Sequence, residues 1–305
     1  MRRLSPVSPR IKTTTAGDDM TINELSNRLD SILSDVPDRD FDKMCLMEDL
    51  CGVTREQLAI HPDRELSEAA ANAAVKGARR RAAGYPLQYI LGKWEFYGRS
   101  FRVGEGVLIP RPDTEALVDE TVSRLGRKFD GGILDLCSGS GCIAVTLAKE
   151  LPESRVYAVE LSSEAFPYLV QNVRENDAAV KMLKGDIMNG ALLENFRTAD
   201  GEYMNIGCIV SNPPYLTDRE MDELQKEVTF EPETALYGGN DGLKFYRVIA
   251  CLWKELLKKG GLMIFEIGTE QAEDVRKILT DSGFRDIFTA PDATGGIRVI
   301  GGYLK

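Results

Sequence analysis

From about residue 108 to the C-terminus, short apolar runs alternate with stretches of helical spacing, and this alternation restricts the fold more than any other feature. Runs near 131–136, 155–160, 180–184, 205–211, 261–267, 284–289 and 297–304 read as strands. The stretches near 113–126, 140–150, 163–176, 241–258 and 269–282 read as helices. Continuous Val, Ile and Leu runs suit strands buried on both faces, a situation that helical crossovers on either side of a parallel sheet create. The expected architecture is α/β, with a doubly wound and mostly parallel sheet. Only a short loop joins the last two strands, so one edge should be antiparallel.

The upstream part has a different character. Ile22, Leu25, Leu29, Ile32, Leu33 and Val36 recur at helical spacing. Thr21–Glu24 and Thr54–Gln57 are capping boxes, and Glu68 to Ala83 is an alanine-rich helix stopped by Gly84. Residues 20–84 are thus expected to form a small α-helical domain, too small for an independent enzyme and suited to recognising a partner. Arg79-Arg80-Arg81 reads as a solvated helix face or as a contact for an acidic partner. Residues 85–107, with Tyr89, Trp94, Phe96, Tyr97 and Phe101 around Gly92 and Gly98, read as a hairpin linker to a main domain at 108–305. Residues 1–19 read as a disordered polar tail. They hold no acid in the first sixteen positions, which leaves an organellar transit peptide as the alternative, and Met20 offers a second start.

Composition narrows the function classes. A net charge of −10 argues against a non-specific grip on nucleic acid. No apolar run approaches the roughly 20 residues of a membrane span. The six cysteines form no CxxC pair and read as reduced thiols, Cys142 packed against the sheet, in a cytoplasmic protein. The lone histidine, His61, sits beside Pro62 between helices and leaves no histidine-based metal site, so no metal is expected.

Chemistry-bearing residues fall at the ends of successive strands, where open α/β sheets bind ligands. Asp135-Leu136-Cys137-Ser138-Gly139-Ser140-Gly141 is a strand running into a glycine turn and a helix. Such a turn lets backbone approach a ligand, and the helix start offers free N–H groups, although a tight turn alone explains the glycines equally. Glu160 ends the next strand and could accept hydrogen bonds from ribose hydroxyls, or stand as a solvated carboxylate. Asp186 and Ile187 follow the third strand, placed to meet an adenine edge.

Asn212-Pro213-Pro214-Tyr215 ends the fourth. Two prolines lock φ near −65° and cannot donate to a ladder, so the chain leaves the sheet as a stiff turn. That turn presents one carboxamide, freed carbonyls and an aromatic face. It suits a planar NH₂ group and supplies neither nucleophile nor general base.

This set resembles the class I S-adenosylmethionine-dependent methyltransferases, and Asn-Pro-Pro-Tyr resembles the loop of those that methylate planar nitrogens. The resemblance implies that Asn212 and the Pro213 carbonyl accept hydrogen bonds from the target NH₂, and that Tyr215 stacks on its plane. Pro86-Leu87-Gln88-Tyr89-Ile90-Leu91-Gly92, Phe96, Gly98, Ile109-Pro110-Arg111-Pro112-Asp113-Thr114-Glu115, Glu231-Pro232 and Gly238-Gly239-Asn240-Asp241-Gly242-Leu243 are similar to the HemK-type glutamine N5-methyltransferases of release factors. The implied methyl donor is S-adenosyl-L-methionine, with Asp135, Cys137, Ser138, Gly139, Ser140, Gly141, Glu160, Asp186, Ile187 and Asn212 at its site. The implied acceptor is the glutamine of Gly-Gly-Gln in class 1 peptide chain release factors, held by Asn212, Pro213, Pro214, Tyr215, Arg111 and Glu231. Thr114 and Glu115 help shape the mouth, where Arg111 and Glu115 could also pair with each other. The protein is expected to be a monomer that binds no nucleic acid directly. Competing acceptors are a ribosomal-protein glutamine and an exocyclic amino group of nucleic acid. Glu160 stands where aspartate is commoner, Cys137 where glycine is frequent, and Asp292 to Arg298 matches only loosely.

Overall fold

The computed structural model describes residues 20–204 and 206–305; the tail and transit-peptide readings of residues 1–19 lie outside the described residues. The chain divides into two compact units, one ending at Ala83 and one beginning at Gly84.

The first unit holds α1 (Ile22–Ile32), α2 (Arg39–Cys51), α3 (Arg55–Ile60) and α4 (Glu68–Ala82). Both capping boxes form: Thr21 Oγ1 accepts from the Glu24 N–H while Glu24 accepts from the Thr21 N–H, and Thr54 and Gln57 repeat the pattern. Ser67 caps α4. Leu25, Leu29, Leu46, Met47, Ala74 and Ala78 are fully buried, and the small alanines of α4 let neighbouring helices approach. The arginine run is not uniformly solvated. Arg81 Nε lies 2.5 Å from Oδ2 of buried Asp42 on α2, compensating a carboxylate that burial would otherwise make costly.

The second unit opens with a short helix, α5 (Leu87–Leu91), before the hairpin β1 (Lys93–Phe96) and β2 (Arg99–Arg102). The expected linker is therefore part helix and part hairpin. Its turn places Tyr97 and Gly98 at φ 52° and 68°, the pair of positive values that a type I′ two-residue hairpin requires. Tyr97 is held there by its N–H on Glu115 Oε1 (2.7 Å) and its hydroxyl on Asp119 Oδ1 (2.6 Å). Glu115 is thus engaged with the hairpin rather than with Arg111.

Next come α6 (Thr114–Leu125), β3 (Gly132–Leu136), α7 (Cys142–Glu150), β4 (Arg155–Glu160), α8 (Phe166–Glu175), β5 (Val180–Lys184) and β6 (Ile206–Ser211). Then follow α9 (Asp218–Asp222), α10 (Lys244–Leu252), β7 (Leu257–Glu266), α11 (Ala272–Asp281), β8 (Phe284–Pro291) and β9 (Ile297–Leu304). The sheet order is β5-β4-β3-β6-β7-β9-β8. The first five strands are parallel, and β9 runs antiparallel to both β7 and β8. The doubly wound sheet with an antiparallel edge is present.

Side-chain alternation divides each strand between two cores. Ile133, Cys208, Val210, Leu262 and Ile264 face α6, α7 and α8. Their neighbours Leu134, Ile209, Met263 and Phe265 face α10 and α11 with Trp253. Each of these fully buried Leu, Ile and Phe side chains contributes about 1.5–3 kcal/mol by leaving water. The order reverses between β3 and β6, so the carboxyl ends of β3, β4, β5 and β6 frame a crevice.

Candidate active site

The glycine turn after β3 is tightly wound. Cys137, Gly139 and Gly141 have φ of 61°, 52° and 81°, which explains why glycine suits position 137. The N–H groups expected to be free are largely used within the protein: Ser138 donates to the Val159 carbonyl, Gly141 to Ser138, and Gly139 to Glu160 Oε2 at 2.7 Å. The loop is thereby set as a rigid wall. A Cβ added at Gly139 would meet no atom within 4 Å, so the backbone there faces open space.

A cavity of about 440 Å³ lies against this wall, within the size range of small-molecule sites. Cys137, Ser138, Gly139, Ser140, Glu160, Asp186, Ile187, Asn212 and Pro214 line it, together with Arg111 and Thr114. Asp135, Gly141 and Pro213 are not among its walls. Asp135 is fully buried beneath the turn, and among the described residues neither carboxylate oxygen has a hydrogen-bond partner of good geometry. Burial pushes its carboxyl up to about 8, against the opposing pull of the Ser138 hydroxyl and the Ala144 N–H. Glu160 is also raised by burial, although the Ser162 and Gly139 N–H groups favour its charged form. Asp186 Oδ1 accepts the Met188 N–H at 2.8 Å, and the Ile187 carbonyl is held by Trp253 Nε1 at 2.9 Å.

A second cavity, about 500 Å³, adjoins the first and shares Leu108, Ile109, Arg111, Asn212 and Ala235 with it. Tyr215, Glu231, Gln88 and Glu266 complete much of its wall. Arg111 Nη2 donates to Glu231 Oε1, and Glu231 Oε2 accepts the Ile109 N–H at 3.0 Å. Glu231, and not Glu115, is therefore the arginine's partner; one buried carboxylate braces both the backbone and the cation of the Ile109–Glu115 segment.

The Asn-Pro-Pro-Tyr turn is anchored on several sides. Ser211 Oγ donates to the Leu136 carbonyl, tying the end of β6 to the end of β3. The Gly238–Leu243 segment packs on the turn so closely that a Cβ at Gly238 would sit 2.6 Å from Tyr215 Cα and 2.7 Å from the Pro214 carbonyl oxygen. Asn212 Nδ2 donates to Thr114 Oγ1 (3.3 Å), and Thr114 Oγ1 donates to Glu266 Oε2 (2.6 Å). The Tyr215 hydroxyl lies 3.4 Å from Glu266 Oε1, which turns the ring edge toward this acid.

Glu266 is absent from the sequence reading. It is 1% exposed, and burial pushes its carboxyl up to about 7, moderated by the Thr114 hydroxyl and Arg298. An acid closing the apolar run 261–266 repeats the pattern of Glu160 and was the available signal. Arg298, from the loosely matching C-terminal stretch, reaches Asp113 at 3.1 Å and Asp292 at 3.4 Å beside this acid.

Comparison with known proteins agrees with the geometry. Residues 21–92 match the PrmC N-terminal domain, and residues 114–236 match the methyltransferase small domain. A release factor glutamine methyltransferase of Geobacter sulfurreducens is 40% identical over 260 residues, covering 85% of this chain and 87% of the relative. The enzyme of the same name from Neisseria gonorrhoeae is 35% identical over 261 residues, 85% of this chain and 92% of its own. The chain belongs to the release factor glutamine methyltransferase family. Among solved structures, the hMettl16 catalytic domain has a TM-score of 0.51 at 16% identity, covering 75% of this chain and 81% of that one, and shares the fold. A release-factor-specific protein-(glutamine-N5) methyltransferase from Alicyclobacillus acidocaldarius is 29% identical, with a TM-score of 0.40 over 67% of this chain and 99% of that one.

The first cavity fits S-adenosylmethionine, the donor of class I methyltransferases. Open backbone at Gly139 leaves room for close approach, two strand-end carboxylates can accept from a diol and an amine, and Ile187 supplies an apolar contact. Asn212 stands where this cavity meets the next.

Proposed function

We propose that this protein transfers a methyl group from S-adenosylmethionine to the side-chain amide nitrogen of the Gly-Gly-Gln glutamine in class 1 peptide chain release factors. The observation that carries the reading is that Asn212 lines both cavities, so one carboxamide faces donor space and acceptor space together.

In this reading Glu160 holds the ribose of the donor, and Asp186 with Ile187 holds its adenine. The glycine turn, with Asp135 beneath it, shapes the floor. When bound, the donor supplies a methyl group on a positively charged sulfur. An amide nitrogen is a poor nucleophile because its lone pair is delocalised, so alignment is the main task of the protein. Asn212 Oδ1 and the Pro213 carbonyl accept the two N–H bonds of the target amide and favour the positive charge that develops on nitrogen. Fixed acceptors of this kind act as an oxyanion hole does, with the sign reversed. Holding the reacting atoms at contact distance contributes several kcal/mol through orientation. Tyr215 and Pro214 pack on the amide plane, and the Arg111–Glu231 pair sets the mouth. The methylated nitrogen is strongly acidic and gives its extra proton to water after transfer, so no dedicated base is needed.

The helices of residues 20–84 serve acceptor recognition, and residues 108–305 carry the chemistry. No helix among the described residues is long and apolar enough to cross a membrane. We take the protein to act in the cytoplasm as a monomer, without direct contact to nucleic acid. The net charge of −10 favours a protein acceptor over an exocyclic amino group of DNA or RNA. Incubation with radiolabelled donor and a purified release factor, wild type beside a Gln→Ala change in Gly-Gly-Gln, tests the assignment. Label on the wild type alone is expected; label persisting on the altered factor would overturn it.

A further inference from the structure

We infer that Glu266 is a positioning residue: through Thr114 it dictates which face of the Asn212 carboxamide is presented to the acceptor. The inference rests on the methyltransferase reading above and concerns a residue that none of its steps yet uses.

The argument is one of hydrogen-bond direction. A carboxamide is close to symmetric in shape, so packing alone cannot distinguish its oxygen from its NH₂. A threonine hydroxyl cannot distinguish them either, because it both donates and accepts. An ionised carboxylate accepts only. Glu266 Oε2 lies 2.6 Å from Thr114 Oγ1, so the Thr114 hydrogen is committed to it. What remains at Thr114 Oγ1 is lone-pair density, which can receive only the NH₂ side of Asn212, found 3.3 Å away. Oδ1 is then the atom left for an incoming NH₂ group. Reversing the chain would place an NH₂ against the acceptor's own NH₂, donor facing donor.

The surroundings support this assignment. Thr114 and Glu266 are 2% and 1% exposed, so water does not compete for the hydroxyl. Burial and Asp113 oppose the charged acid, while the Thr114 hydroxyl, Arg298 from β9 and the Tyr215 hydroxyl on Oε1 favour it. Turnover is therefore compared above about pH 7, where Glu266 is ionised and accepts only. Glu266 lines the second cavity and not the first, so its effect should fall on turnover and not on donor binding.

The decisive experiment runs the chain backwards. In the double variant Asn212→Asp with Glu266→Gln, the glutamine NH₂ can donate to Thr114, whose hydroxyl then donates to the new carboxylate. In Asn212→Asp alone, two carboxylates compete for one hydroxyl hydrogen. Glu266→Gln should therefore lower kcat about tenfold in the wild-type background yet raise it about tenfold in the Asn212→Asp background, roughly one hydrogen bond in each case. Within each background, Glu266→Gln should change donor affinity, measured by titration calorimetry, by less than about threefold, since Glu266 lines the second cavity and not the first. The same sign and factor in both backgrounds would overturn the inference. Should Asn212→Asp be inactive in both forms, Thr114 decides. Thr114→Ser keeps the hydroxyl and should retain turnover, whereas Thr114→Val should lose about tenfold or more in kcat. Equal behaviour of Ser and Val would refute it. Wild-type protein that fails to label the release factor would instead refute the functional reading.

Discussion

The Asp135 carboxyl makes a quantitative prediction about stability. It is 0% exposed, and burial raises it from 3.8 to about 8. The folded protein therefore keeps a proton that the unfolded chain releases above about pH 4. Stability is greatest while both states are protonated and falls as pH rises, at about 1.4 kcal/mol per pH unit. The loss ends near pH 8, where the folded state also ionises. From pH 5 to pH 8 the upper bound is about 4 kcal/mol, and relaxation around the buried charge reduces the expected loss to about 2–3 kcal/mol. Asp135→Asn removes this titration, at a cost independent of pH. Urea unfolding of both proteins, without donor, should show the wild-type advantage over Asp135→Asn shrinking by that amount between pH 5 and pH 8. Glu266 and Glu160 titrate in the same direction but are common to both proteins, so they cancel in the difference. A gap equal at the two pH values would refute the reasoning.

Asn212→Ala should lower kcat about 10²–10³-fold, the usual loss for one preorganised partner of a developing charge, and should weaken donor binding, read by calorimetry, far less. Gly141→Ala should destabilise the protein by about 2–3 kcal/mol in thermal unfolding, because φ is 81° and the new Cβ would lie 2.4 Å from Leu169 Cδ1. Glu231→Ala leaves the Ile109 N–H without its carboxylate and should cost about 1–3 kcal/mol by urea unfolding while raising the KM for the release factor.

The seven strands and their interleaved helices were readable because burial on both faces imposes apolar runs of strand length, and the starts of α1 and α3 because capping boxes mark them. Elements that lack such periodicity were not. The α5 turn at Leu87–Leu91 is too short to show a helical repeat, and α9 at Asp218–Asp222 carries no buried face. The pairing of Arg111 was likewise open in the sequence, since Glu115 lies four residues away and Glu231 is distant.

The site divides along the same line. Asn212, Glu160 and Asp186 could be found because strand ends are functional positions in any open α/β sheet, and two prolines after a strand admit few backbone conformations. Glycines at 238 and 242 were visible as residues, but the need for them was not: only the fold brings their backbone against Pro214 and Tyr215. Thr114 and Glu266 lie 152 residues apart and meet at 2.6 Å. The sequence by itself determined the strand order's raw material and the chemistry available at each strand end. The tertiary structure alone decided which donors and acceptors meet, and so which atom of Asn212 faces the acceptor, because hydrogen-bond direction depends on contacts that chain spacing does not encode.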